Sequence, residues 1–122
     1  MKIVVVLAVV CAALASPVDY YTTADDNLDM NAVINDSGKL KAMTDCFLDR
    51  GSCDDVAMSY KKIVPDSMKD SCSRCNDAQK HLANVYLTGL LEKVPDDHEK
   101  FKNKFDPDGK YLSKFMDAIK GH

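Results

Sequence analysis

The chain has 122 residues, 46% of them hydrophobic and 29% charged, with 16 Lys+Arg against 19 Asp+Glu. That length suits one domain with a modest core. Acidic and basic residues are interspersed without a basic block, which argues against nucleic acid and anionic membrane surfaces as partners.

Met1-Lys2 opens an apolar run, Ile3 to Leu14, that ends in the small-x-small step Ala13-Leu14-Ala15. The run is too short to span a bilayer and reads as a secretion signal over residues 1–16, cut after Ala15 or Ser16. Cys11 and Lys2 leave with it, so residues 17–122 keep 15 basic against 19 acidic residues and a net charge of −4. The product is expected in extracellular fluid, without membrane insertion and as a monomer. Disulfides persist in that compartment.

The remaining chain reads as all-α, six short helices joined by tight turns. Residues 16–27 look extended. Asp29 can cap a short helix through Met30, Val33 and Ile34. Ser37 can cap a second helix to about Arg50, with Leu40, Met43 and Phe47 on one face and Gly51 as a left-handed stop. Asp54 or Asp55 opens a third, striped by Val56, Tyr60, Ile63 and Val64 and continuing to Met68 and Cys72. Pro65 predicts a kink or break in it. The fourth, from about Asp77 to Lys93, carries Leu82, Val85, Tyr86, Leu90 and Val94. Gly89 inside it costs about 1 kcal/mol relative to alanine, unless its missing side chain allows close packing. Pro95 fits the first turn of a fifth helix, with Asp96 and Asp97 at its positive end and Phe101 and Phe105 inward. Asp106-Pro107-Asp108-Gly109 is a turn. A sixth helix follows, with Tyr111, Phe115, Met116 and Ile119 inward.

Four cysteines remain, Cys46, Cys53, Cys72 and Cys75, and allow three pairings. Helix ends at both corners favour the local pairs Cys46–Cys53 and Cys72–Cys75, as staples that frame the interior without lining it. A thiol oxidoreductase using Cys72-x2-Cys75 would need a βαβ context that the chain lacks. The six-residue gap between Cys46 and Cys53 is wide for zinc, and an oxidising compartment favours disulfides. His81, His98 and His122 form no ligand spacing. Aligning Gly109 to the sixth position of a calcium loop puts Lys104 first and Phe115 twelfth, which rules out an EF-hand. No catalytic motif, cofactor site or metal site is read. Asn35-Asp36-Ser37 is a glycosylation sequon abutting a helix start.

The cysteine spacing C-x6-C-x18-C-x2-C resembles the signature of the insect chemosensory proteins, the OS-D or pheromone-binding-like family. Tyr21-Thr22-Thr23 with Asp26-Asn27-Leu28-Asp29 resembles its N-terminal motif. Cys46-Phe47-Leu48-Asp49-Arg50-Gly51-Ser52-Cys53 resembles its first disulfide loop. Val64-Pro65-Asp66 and the run Lys104 to Tyr111 match further motifs in order. The resemblance implies six helices around a hydrophobic channel, two local disulfides and a non-enzymatic carrier of small apolar ligands such as odorants, pheromones, long-chain alcohols, aldehydes, esters or fatty acids. The flexible Met43, Met58, Met68 and Met116 suit an adaptable cavity. The chain has no tryptophan, and Asp97-His98 stands where many relatives carry one. Relatives often place an aromatic at the position of Met43, and a second tyrosine near Asp25. Loss of these groups would reshape the channel mouth, and His98 would make it pH-sensitive.

On that reading Met43, Phe47, Tyr60, Val64, Leu82, Val85, Tyr86, Phe101 and Phe105 line the pocket, with Gln79 and His98 as polar contacts. The alternatives are a secreted protein–protein interaction or developmental factor, and the thiol oxidoreductase.

Overall fold

A computed structural model describes residues 17–122. The leader expected over residues 1–16, Cys11 included, lies outside them. The described residues form six helices and no strand: α1 (Met30–Ile34), α2 (Ser37–Phe47), α3 (Asp55–Asp70), α4 (Asp77–Lys93), α5 (Pro95–Phe105) and α6 (Leu112–Ile119). None of them is long and apolar enough to cross a membrane.

Local chemistry sets most of the boundaries. The carboxylate of Asp29 accepts from the Ala32 amide and starts α1. Asp54 does the same for α3 through the Ala57 amide. At α4 the Asn76 side chain accepts from the Gln79 amide, and the Gln79 side chain accepts from the Asn76 amide. This reciprocal pair satisfies two donors that a helix start otherwise leaves orphaned. Pro95 sits in the first turn of α5, where no amide hydrogen is needed. Buried Asp106 accepts from the amides of Lys110, Tyr111 and Leu112 and folds the turn before α6, with Gly109 at φ +67°.

Several details differ from the sequence reading. Asp36, not Ser37, caps α2, because its carboxylate reaches the amides of both Gly38 and Lys39. α2 stops at Phe47, and the left-handed residue after it is Asp49 (φ 59°) rather than Gly51. The Asp49 side chain pairs with Lys61 and Lys104, and aspartate is among the few residues besides glycine that visit this region. α3 runs through Pro65 without a break. Pro65 is exposed, and buried Tyr60 and Met68 hold the helix to the core on either side. α3 ends at Asp70, because Ser71 and Cys72 both turn left-handed before they could extend it.

Disulfides join Cys46 to Cys53 and Cys72 to Cys75. The first staples the α2–α3 corner and the second the α3–α4 corner. α1 packs on α4 at Gly89, where a Cβ would lie 2.6 Å from two Ile34 carbons. The glycine costs helix propensity and gains a close approach of two helices.

Candidate functional site

The two long helices face each other with the same spacing. α3 presents Tyr60, Ile63, Val64, Ser67 and Met68, and α4 presents Gln79, Leu82, Ala83, Tyr86 and Leu87. Each set follows i, i+3, i+4, i+7, i+8, the apolar stripe of an amphipathic helix. Between the stripes lies a cavity of about 70 Å³, completed by Met30, Phe47, Phe101 and Phe115 and by the Cys72–Cys75 bridge. No charged side chain lines it.

Phe47, Tyr86 and Phe101 form its aromatic wall. Their ring centroids lie 5.3 Å apart for Phe47 and Tyr86, 6.3 Å for Phe47 and Phe101, and 6.2 Å for Tyr86 and Phe101, all edge to face. Such pairs add about 0.5–1.5 kcal/mol beyond their buried area.

The extended segment ahead of α1 straps one end of this space. The Tyr60 hydroxyl donates to the Asp25 carbonyl. The Gln79 amide group donates to the Tyr21 carbonyl at 2.9 Å and to the Thr23 hydroxyl at 3.0 Å. Asn76 reaches the Asp26 carboxylate at 3.0 Å, and the Arg74 guanidinium lies 4.7 Å over the Tyr21 ring. Burial, aided by Asp26 and Asp25, pushes the Tyr60 hydroxyl up to about 12. Burial also raises Tyr86 well above the ordinary phenol range, against the opposing hydrogen bond from Thr44. Both hydroxyls therefore stay neutral at physiological pH.

Of the residues expected at the pocket, Phe47, Tyr60, Val64, Gln79, Leu82, Tyr86 and Phe101 line this cavity. Four lie elsewhere. Met43 turns to an outer cleft with Leu28, Val33 and Val56. Val85 lies on the flank of α4 beside Ile34 and Gly89. Phe105 stacks behind Phe101 at 4.7 Å and backs the wall. His98 is half-buried on α5 away from the cavity, where burial holds its pKa below 6.5. Gln79 is a polar lining residue whose amide is committed to the helix cap and the strap. Met58 and Met116 are also absent from the lining, and Met30 joins Met68 there.

The sulfurs correct another expectation. Cys72 and Cys75 line the cavity as well as stapling the corner, at 1% and 3% exposure. Burial of this degree marks a structural bridge, since reactive cysteines sit in accessible, electropositive surroundings.

Thr44 and Ser67 were not expected at the site. Both are polar residues at buried positions of apolar helix faces, a signal visible in the stripe Leu40, Met43, Thr44, Phe47. The Ser67 hydroxyl donates to the Val64 carbonyl. Thr44 shares a 2.7 Å hydrogen bond with the Tyr86 hydroxyl. On its far side Thr44 lines an outer groove with Ile34, Leu40 and Val94, rimmed by Lys41, Asp45, Arg50, Lys93 and Asp97.

Residues 21–113 match the insect pheromone-binding family A10/OS-D. Allergen Tha p 1 of Thaumetopoea pityocampa is 31% identical over 121 residues, 98% of this chain and 95% of its own length. Ejaculatory bulb-specific protein 3 of Drosophila melanogaster is 28% identical over 94% of this chain and 91% of its own length. Among solved structures, a chemosensory protein in complex with bromo-dodecanol superposes with a TM-score of 0.73 at 24% identity, covering 80% of this chain and 97% of that one.

Proposed function

From the premise that this chain belongs to the insect pheromone-binding family A10/OS-D, we propose that it is a secreted, monomeric, non-enzymatic carrier of small hydrophobic molecules, held in the cavity between α3 and α4. The observation that carries this reading is the wall itself: two helical stripes and an aromatic triad enclose an uncharged space. The related chemosensory protein holds bromo-dodecanol, which supports long-chain aliphatic molecules as the ligand class.

The volume sets the mode of binding. A space of 70 Å³ is about five times the ~10–15 Å³ that one water needs. It accepts the first methylenes of a chain as it stands, and a longer chain enlarges it. Met30 and Met68 supply the adaptable part of the wall. Each buried methylene contributes about 0.8 kcal/mol, or about fourfold in affinity. Displacement of a fluorescent apolar probe by a C10–C18 alcohol series tests the proposal. Affinity rises with length and levels off once enlargement costs as much as burial returns. A series in which no member displaces the probe refutes it.

A further inference from the structure

The cavity offers few polar atoms, and nearly all are committed. The Tyr60 hydroxyl donates to the strap and Ser67 to its own helix, while the Gln79 side chain accepts from the cap and donates to the strap. Thr44 and Tyr86 differ. Their hydroxyls share one hydrogen bond, which uses one of their two hydrogens, and neither makes another among the described residues. One O–H donor and several lone pairs are left over in a pair 0% and 4% exposed. A buried donor without a partner costs free energy that a suitably placed acceptor recovers.

The position of the pair matters as much as its chemistry. Tyr86 lines the inner cavity, and Thr44 lines the outer groove. The two hydroxyls therefore stand at the partition between the two spaces. A chain that reached this partition from the cavity would meet the pair with its terminal oxygen.

We propose that the Thr44–Tyr86 hydroxyl pair is the polar anchor of the ligand and selects neutral oxygenated chains. The proposal rests on the carrier reading above and names its ligand class. An alcohol fits best: its oxygen accepts the spare hydrogen, and its own hydrogen enters a free lone pair. An aldehyde or ester makes the first bond only. A halide of the same length makes neither well. A carboxylate brings a charge to a cavity that no charged side chain lines, where burial of an unpaired ion is costly; of the cations on the outer groove's rim, Lys41 and Arg50 are already paired with Asp45 and Asp97.

The test compares 1-dodecanol, 1-chlorododecane and dodecanoate as displacers of the same probe at pH 7.4. The wild-type protein and the double variant Thr44→Val/Tyr86→Phe are both measured. Removing both partners of a buried hydrogen bond with isosteres is close to neutral for folding. In the wild type, dodecanol binds about tenfold more tightly than the chloroalkane, and the double variant abolishes that preference. An alcohol-to-chloroalkane ratio equal in both proteins overturns the anchor, as does tighter binding of dodecanoate than of dodecanol. If neither neutral ligand displaces the probe, the carrier reading falls and the anchor falls with it. A second measurement needs no variant. The carbonyl stretch of bound, carbon-13-labelled dodecanal shifts to lower frequency than in hexane if it accepts the spare hydrogen. A band at the hexane position overturns the proposal.

Discussion

Replacing Gly89 with alanine tests how tightly α1 is seated on α4. The new Cβ would lie 2.6 Å from Ile34 Cδ1, 2.6 Å from Cγ2 and 2.8 Å from Cγ1. Apolar carbons settle at about 3.5–4.0 Å, so Ile34 must retreat by roughly 1 Å. The three atoms belong to both branches of the side chain, so no single rotamer change clears them. α1 itself has to move. It has five residues and no stability of its own, and its buried Met30, Val33 and Ile34 are what hold it. Overpacking of this kind costs about 1–3 kcal/mol, and alanine returns about 1 kcal/mol of helix propensity. Gly89→Ala should therefore destabilise the protein by up to about 2 kcal/mol. With Ile34→Ala in the background the clash is gone, and the same substitution should stabilise by up to about 1 kcal/mol. Urea unfolding followed by circular dichroism at 222 nm measures all four proteins of the cycle. A Gly89→Ala effect of the same sign and size in both backgrounds refutes the close-packing account.

Asp49 stands between Lys104 and Lys61, whose hydrogen bonds lower its carboxyl to about 2. The folded value lies below the ordinary 3.8, so its contribution is present above pH 3.8 and is lost as the pH falls through 2. Unfolding free energies across that window should fall less steeply in Asp49→Asn, and an unchanged slope would refute the ion-pair assignment. His98 titrates at the other end of the range. Burial lowers its folded value below 6.5, so the unfolded chain takes the proton first and stability declines as the pH drops below 6.5. His98→Gln should flatten that decline, and a decline unaltered in the variant would exclude His98 as its source. Loop entropy assigns about 2.5 kcal/mol to the eight-residue Cys46–Cys53 ring and about 1.9 kcal/mol to the four-residue Cys72–Cys75 ring. Paired Cys→Ser variants, compared by urea unfolding and probe binding, should both lose stability. The Cys72/Cys75 variant alone should also lose affinity, because its sulfurs line the cavity. Equal probe affinity in the two variants counts against that placement.

Much of the fold is legible in the residues themselves. Asp29, Asp54 and Pro95 are local start signals, and α4 runs from Asp77 to Lys93 as its flanking residues predict. The two disulfides join near neighbours at helix corners, so their pairing follows from short-range geometry. Less legible were the stops. Gly51 is the obvious left-handed residue, yet Asp49 takes that conformation, and lysines from α3 and α5 pair with its carboxylate. The lining of the cavity was legible only in part. Helical spacing placed Tyr60 with Val64 and Leu82 with Tyr86. It could not tell that Val85, next to Tyr86 in the chain, turns to α1, or that Met43 faces an outer cleft while Thr44 beside it reaches Tyr86.

Taken alone, the sequence determines the number of helices, most of their starts, the disulfide corners and the family, because each depends on residues a few positions apart or on a linear pattern. Only the tertiary structure decides which of several apolar faces meet a cavity and which meet another helix. Periodicity defines a face without naming its partner. Ile34 against Gly89, Thr44 against Tyr86, and the strap against Gln79 are contacts between residues 42–58 positions apart. Packing brings them together, and with them the buried Thr44–Tyr86 hydroxyl pair, which no stretch of sequence displays.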